Sequence, residues 1–185
     1  MADTLGAGRP SPYRVMTVCT GNICRSPMAE VVLRDRFEAA GFGGRVVVDS
    51  TGISSEEHGN PIDPRARAAL GARGYDVPVR SARRVRAEDL VAADLVLAMT
   101  EVHAQALRRI AGAHDDVVAR VAMLRSFDPL APTVVPGARE HVLDVDDPWY
   151  GGPEDFEVCL TQLEAAADGV VAWVSADLAG RPAGT

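Results

Sequence analysis

Two side chains with nucleophilic and oxyanion-binding chemistry stand at opposite ends of one short segment, Cys19-Thr-Gly-Asn-Ile-Cys-Arg25. A thiolate is a strong nucleophile, and a guanidinium is a permanent planar fork that matches the oxygens of a phosphoryl group. The residues between them suit a tight loop. Gly21 supplies backbone freedom and Asn22 tolerates a left-handed conformation, so that successive N–H groups, those of Thr20, Ile23 and Cys24 among them, can point inward as a nest for an anion. A cysteine at the mouth of such a nest faces amide donors, a helix amino terminus and Arg25, all of which favour thiolate over thiol. Ser26 could donate a hydrogen bond to that sulfur or cap the helix that follows, and the residues alone leave both roles open.

The flanking elements must put that loop where a ligand can reach it. Arg14–Val18 reads as a short strand, and Ser26-Pro27 as a helix start with Pro27 at the first helical position. Met28, Val32, Leu33, Phe37 and Ala40 recur at helical spacing up to Gly41, which suits a carboxyl-terminal cap. A second strand at Arg45–Asp49 follows about 30 residues after the first, the span of a βαβ crossover, which implies a parallel sheet. Asp63-Pro64 opens a helix through Leu70, closed near Gly74. Asp94–Met99 is a continuous apolar strand, Thr100 caps a helix through Ile110, and Val117–Leu124 is a fourth strand. The stretch from Arg125 to Pro148 is broken by Pro129, Pro132, Pro136 and Gly137, and a loop of that length is expected to be functional or mobile. A long helix from Pro153 carries the stripe Phe156, Leu160, Leu163, Ala167, Val170, Val174 and Leu178, and Gly180 stops it. The expected fold class is α/β: a single three-layer domain of about four parallel strands flanked by helices, with the phosphate-binding loop after the first strand. Residues 1–13 and 180–185 are expected to be tails around a domain of residues 14–179.

Composition removes other chemistries. The 185 residues carry a formal net charge of −7, against bulk affinity for nucleic acid. All the basic residues are arginine, which excludes Schiff-base lysines, pyridoxal phosphate catalysis and a Walker lysine. Three cysteines do not make a secreted disulfide framework, and His58, His103, His114 and His141 complete no zinc-site spacing, so no metal is expected. No apolar run is long enough to span a membrane and residues 1–14 lack a signal core, so no membrane insertion is expected and the cytoplasm is the expected address. Arg83, Arg84 and Arg86 read as a solvated basic face.

The segment Val18-Cys-Thr-Gly-Asn-Ile-Cys-Arg-Ser-Pro-Met-Ala-Glu30, together with Asp147-Pro-Trp-Tyr-Gly151, resembles the low-molecular-weight protein tyrosine phosphatases. The likeness runs from about Arg14 to about Leu178 and takes in Asp63-Pro-Arg-Ala66, Ser81-Ala-Arg-Arg-Val85 and Leu97-Ala-Met99. It implies that Cys19 attacks phosphorus to give a cysteinyl-phosphate, that Arg25 and the loop amides stabilise the equatorial oxygens, and that Asp147 acts first as acid and then as base. It implies loop-support roles for Asn22, Ser26 and Ser50, a redox role for Cys24, and substrate walls from Ile23, Trp149 and Tyr150. Asp144 and Asp146, beside Asp147, read as solvated loop charges, and Cys159 as core. No cofactor is implied. The partners implied are phosphotyrosine proteins, a tyrosine kinase among them, and a monomer is expected.

Three positions depart from the family pattern. Glu56, followed by Glu57 and His58, stands in the second substrate wall where relatives place a bulky residue; Arg73 replaces a frequent His; and Thr100 replaces a common Asp. A protein-arginine phosphatase is the alternative reading, with Ile23 against it because that branch carries Thr there. An arsenate reductase, which needs further cysteines as a relay, and a non-catalytic phosphoprotein-binding module are the remaining alternatives.

Overall fold

The computed structural model describes residues 11–181, so the expected tails fall mostly outside the described residues. Tyr13, assigned to the amino-terminal tail by the sequence, is instead buried as the first residue of strand β1 (Tyr13–Cys19), with the Arg181 guanidinium 4.4 Å from its ring centroid. Helix α1 (Arg25–Ala39) and strand β2 (Val46–Gly52) follow. Then come helix α2 (Pro64–Ala72), helix α3 (Ala87–Ala92), strand β3 (Leu95–Ala98), helix α4 (Glu101–Ala111), helix α5 (Asp115–Val118), strand β4 (Val121–Met123) and the long helix α6 (Pro153–Gly180).

The four strands are parallel, in the order β2-β1-β3-β4. Side chains alternate between the two faces of the sheet, and the core divides accordingly. Val15, Leu95 and Leu97 join the layer containing α1, α2 and α6. Met16, Val18, Val96 and Ala98 join the layer with Leu90 of α3, Leu107 of α4 and Val117 of α5. The chain leaves β1 for one side of the sheet and later returns to the other side through β3. The crevice beyond the carboxyl ends of these two neighbours is therefore where a ligand binds in an open α/β sheet. Cys19 ends β1 at this crevice.

Several local expectations change. Ser26 does not cap α1: Cys24 occupies the cap position, makes no side-chain cap bond, and Ser26 lies within the first turn. Strand β2 extends past Asp49 to Gly52, which takes Ser50 into the sheet. The fourth strand is three residues long, because His114 accepts from the backbone N–H groups of Val117 and Val118 and folds them into a helical turn instead. Helix α3 was not legible in the sequence; its start is fixed by the Asp89 carboxylate, which accepts from the Arg86 N–H at 2.8 Å. The proline-rich stretch contains turns at Leu124–Phe127 and His141–Leu143, and side chains tie it down: Arg108 pairs with Glu140 at 2.7 Å and Arg139 with Glu101 at 2.7 Å.

The stripe expected on α6 is buried as far as Val174, with Leu178 partly covered. Gly169 is required there, since a Cβ would lie 2.0 Å from the Phe127 carbonyl oxygen. No described helix is long and apolar enough to cross a membrane.

Candidate active site

The segment from Thr20 to Cys24 turns between β1 and α1, and the absence of a side-chain cap leaves the first-turn amides of α1 free for an anion. Cys19 sits at the floor, 3% exposed. Its sulfur accepts the Asn22 N–H at 3.3 Å and lies 3.0 Å from the Ser26 hydroxyl. Ser26 Oγ also bonds the Thr51 carbonyl at 3.1 Å, so one hydroxyl proton has two acceptors and can move to the sulfur when that carries charge. Asn22 takes up the left-handed conformation, φ 62°, and both ends of its amide are used. Its Nδ2 donates to Ser26 Oγ at 3.0 Å and Ser50 Oγ at 2.9 Å, while its Oδ1 accepts from Arg80 and from the Arg83 backbone. Ser50 in turn donates to Glu30 at 2.5 Å.

Close approach of the neighbouring strand also shapes the loop. Gly52 carries no side chain where a Cβ would be 2.5 Å from the Thr20 carbonyl, and that same carbonyl accepts the Ser54 N–H at 3.0 Å. From the other side His103 Nε2 meets Thr20 Oγ1 at 2.9 Å, while its Nδ1 meets Thr100 Oγ1 at 2.9 Å. Burial, aided by the nearby Arg25 charge, pulls the His103 pKa down to about 3, so the ring is neutral at physiological pH. Thr100 caps α4, as expected, by accepting the His103 N–H. Its departure from the family pattern therefore leaves a working cap that also orients this imidazole.

Asp147 arrives from the far side of the chain. Its Oδ2 accepts from Arg25 Nη2 at 2.5 Å and its Oδ1 from the Trp149 N–H at 3.2 Å; Arg25 Nη1 bonds the Val145 carbonyl at 3.3 Å. Of the two neighbouring acids read as solvated charges, Asp146 is exposed as expected and Asp144 is partly buried, and both also act as tethers. Asp144 accepts the first N–H of α4 at 2.7 Å, and Asp146 is held by Gln162 of α6 through bonds of 3.1 and 2.9 Å. The Val145 N–H donates to the Met99 carbonyl at 2.8 Å, which fixes the segment to the end of β3.

The loop and Asp147 enclose a cleft of about 220 Å³ whose floor is Cys19, Gly21 and Arg25, with Ile23 and Cys24 along one side. Trp149 and Tyr150 supply an aromatic part of the lining, and Glu56 with Glu57 an acidic part. Tyr150 is 92% exposed, so its ring has area left for a ligand to cover. Arg65 supports the aromatic part from behind. It forks onto Asp63, donates to the Trp149 and Gly151 carbonyls at 3.3 and 3.1 Å, and lies over the Trp149 and Phe156 rings. Glu57 is held by Asn60 at 2.7 Å, whereas Glu56 is exposed and has no cationic partner among the described residues. Cys19, Arg25, Asp147 and the expected wall residues Ile23, Glu56, Trp149 and Tyr150 thus converge here, with Asn22, Ser26 and Ser50 supporting the loop from beneath. Roles for His103, Arg80, Arg65 and Glu30 were missed: Arg65 and Glu30 lie inside the segments that carry the resemblance, but the partners that give all four a role here are distant in sequence and meet them only through tertiary packing.

Cys24 is a buried free thiol whose pKa burial pushes up, with Asp63 adding to the effect. Cys159 is buried in the α6 core and its pKa is likewise pushed up by burial, to about 12. Arg73 lies outside the cleft and ties the end of α2 to α6 through Glu157 at 2.9 Å, Thr161 and Glu164.

Comparison with known proteins agrees with this geometry. The family described as "Low molecular weight phosphotyrosine protein phosphatase" matches residues 14–179. A "Low molecular weight protein-tyrosine-phosphatase" of Streptomyces coelicolor is 46% identical over 171 residues, 92% of this chain and 99% of that protein. Among solved structures, a protein tyrosine phosphatase from Entamoeba histolytica with Hepes in its active site superposes with a TM-score of 0.80 at 26% identity, over 90% of this chain and 99% of its own. The YwlE arginine phosphatase of Bacillus subtilis superposes with a TM-score of 0.70 at 28% identity, over 89% of this chain and 97% of its own. By its matched length and its identity to these relatives, the chain belongs to the low-molecular-weight phosphotyrosine protein phosphatase family.

Proposed function

We propose that this protein hydrolyses phosphotyrosine in proteins in two displacement steps at Cys19. The observation that carries the reading is the meeting of Asp147 with Arg25 at the mouth of a loop whose floor is the Cys19 sulfur. An arriving phosphoryl group competes for the Arg25 fork and the loop amides, and the Asp147 carboxylate, released from Arg25, takes a proton from the entering phosphate monoanion or from solvent and turns to the bridging oxygen. The sulfur then forms a bond to phosphorus as the P–O bond to tyrosine breaks, and Asp147 gives its proton to the departing phenolate oxygen. In the second step water attacks phosphorus, Asp147 takes its proton, the S–P bond breaks and inorganic phosphate leaves. Ser26 donates to the sulfur as it leaves. The amides and Arg25 act on charge that spreads over the equatorial oxygens, where fixed donors need no reorganisation.

In this reading Ile23, Trp149 and Tyr150 hold the tyrosyl ring, and the acidic edge at Glu56 favours substrates with basic residues beside the phosphosite. Cys24 is the residue that would trap an oxidised Cys19 as a disulfide. Phosphotyrosine proteins, a tyrosine kinase among them, are the partners it implies, with the protein acting as a cytoplasmic monomer.

The structural likeness to an arginine phosphatase keeps a second reading in view, and Ile23 and the aromatic wall argue against it. The test is kcat/KM on phosphotyrosine and phosphoarginine peptides of one sequence, with Cys19→Ser as the blank. The reading expects phosphotyrosine turnover that the blank lacks. Preference for phosphoarginine would give the site to the second reading, and phosphopeptide binding without turnover would make it a recognition module.

A further inference from the structure

The mechanism leaves one buried cation without a role. Arg80 lies between α2 and α3, its side chain 12% exposed, and its guanidinium makes two bonds to a single residue of the phosphate loop. Nη1 donates to the Asn22 carbonyl at 3.1 Å and Nη2 to the Asn22 side-chain oxygen at 2.9 Å. Its Nε lies 3.4 Å from the Glu30 carboxylate oxygen that receives the Ser50 hydroxyl proton. Asn22 is the only residue other than glycine with a positive φ among the described residues, and its N–H is the one directed at the Cys19 sulfur.

A buried guanidinium is costly unless its donors are matched; here Nη1 and Nη2 go to Asn22, Nη2 also reaches the Ser50 carbonyl at 3.5 Å, and Nε faces Glu30. Burial lowers the Arg80 pKa, and Glu30 and Asp49 oppose that effect. Arg83, the neighbouring cation, is paired with Asp49 at 2.5 Å and Asp89 at 3.0 Å. Arg80 thus remains a charged fork throughout the biological pH range.

We propose that Arg80 is a positioning residue for phosphoryl transfer: from outside the cleft it holds Asn22 left-handed, so that the loop amides stand ready for the phosphoryl oxygens, and adds a second fixed positive charge to the one Arg25 supplies. A loop held in this way binds an oxyanion without rearranging, so the benefit grows as negative charge builds on the transferring group. Arg80 touches neither sulfur nor substrate, and its effect passes through Asn22.

The inference rests on the loop being a phosphoryl cradle, and binding of inorganic phosphate tests both separately. Titration calorimetry with phosphate on the parent, Arg80→Gln and Arg80→Lys proteins, with thermal melting alongside, is the experiment. The expected result is phosphate binding weakened about tenfold in Arg80→Gln, with kcat falling more than KM rises. Arg80→Lys, which keeps the charge but cannot span both Asn22 oxygens, is expected to lose roughly threefold. Phosphate binding and kcat unchanged in a folded Arg80→Gln protein would overturn the inference, as would a lowered melting temperature with unchanged phosphate affinity, which marks a purely structural role. If Arg80→Gln does not fold, Arg80→Lys decides: unchanged phosphate affinity overturns the inference and weakened affinity supports it. A parent protein that does not bind phosphate would overturn the cradle reading and the inference with it.

Discussion

Cys19 and Asp147 divide the chemistry by position: the sulfur lies at the floor among amide donors, and the carboxylate at the rim on a guanidinium that a phosphoryl group also needs. Replacing Asp147 by Asn keeps the shape and the Trp149 bond but removes the transferable proton. Steady-state kinetics on a phosphotyrosine peptide should show kcat lowered about 10²–10³-fold with KM changed little. A drop of less than about tenfold would mean another group supplies the proton. Glu56, exposed in the acidic part of the lining and without a cationic partner among the described residues, calls for a different readout. Glu56→Gln should lower kcat/KM for peptides with Lys or Arg beside the phosphotyrosine about two- to fivefold and leave acidic peptides unaffected, and the difference should shrink with added salt. Equal effects on both peptide sets would remove Glu56 from selectivity. At this scale the sequence disclosed what is contiguous. Cys19 and Arg25 announce each other across one loop, while His103, Arg80 and Arg65 are ordinary surface-type residues until the fold carries them to it.

The elements set the loop's shape by close approach, and two glycines separate the contributions to function and stability. At Gly52 a Cβ would strike the Thr20 carbonyl, so Gly52→Ala should displace the phosphate loop and lower both stability, by about 1–3 kcal/mol, and kcat. At Gly169 a Cβ would strike the Phe127 carbonyl, far along α6, so Gly169→Ala should cost similar stability while kcat/KM of the folded enzyme stays within about twofold. Urea melts and kinetics on the two variants check the contrast, and equal kinetic damage would contradict it. The strand–loop–helix unit and α6 were legible because their apolar periodicity is long and agrees with their termini. Helix α3 and the one-turn helix α5 were not, since six or four residues hold too little periodicity. Ser26 was misleading at the element scale for a physical reason. Its hydroxyl is suited to capping, but Asn22, Cys19 and Thr51 claim it first. Asp144 and Asp146 likewise looked like loop charges because their partners, the start of α4 and Gln162, are distant in sequence.

For the molecule as a whole, the parallel sheet brings the ends of β1 and β3 together and lets a loop from beyond β4 deliver Asp147. His103, placed at that junction, links the site to global stability. Its pKa is about 3 in the folded protein and ordinary, near 6.5, when unfolded, so between these values the unfolded chain binds more protons. The stability gained by keeping the ring neutral is present above about pH 6.5 and is lost as pH falls toward 3, at up to about 1.4 kcal/mol per pH unit. Urea unfolding at pH 4.5 and 6.5 should show a larger acid loss for the parent than for His103→Gln; parallel losses would contradict the neutral, buried imidazole. The central claim concerns covalent chemistry at one sulfur. Rapid acid quench of the enzyme during phosphotyrosine turnover, followed by peptide mass spectrometry, tests it directly. The account predicts one phosphoryl group on Cys19, enriched in Asp147→Asn and absent in Cys19→Ser; turnover with no phosphoryl group on Cys19, or with the group on another residue, would contradict it.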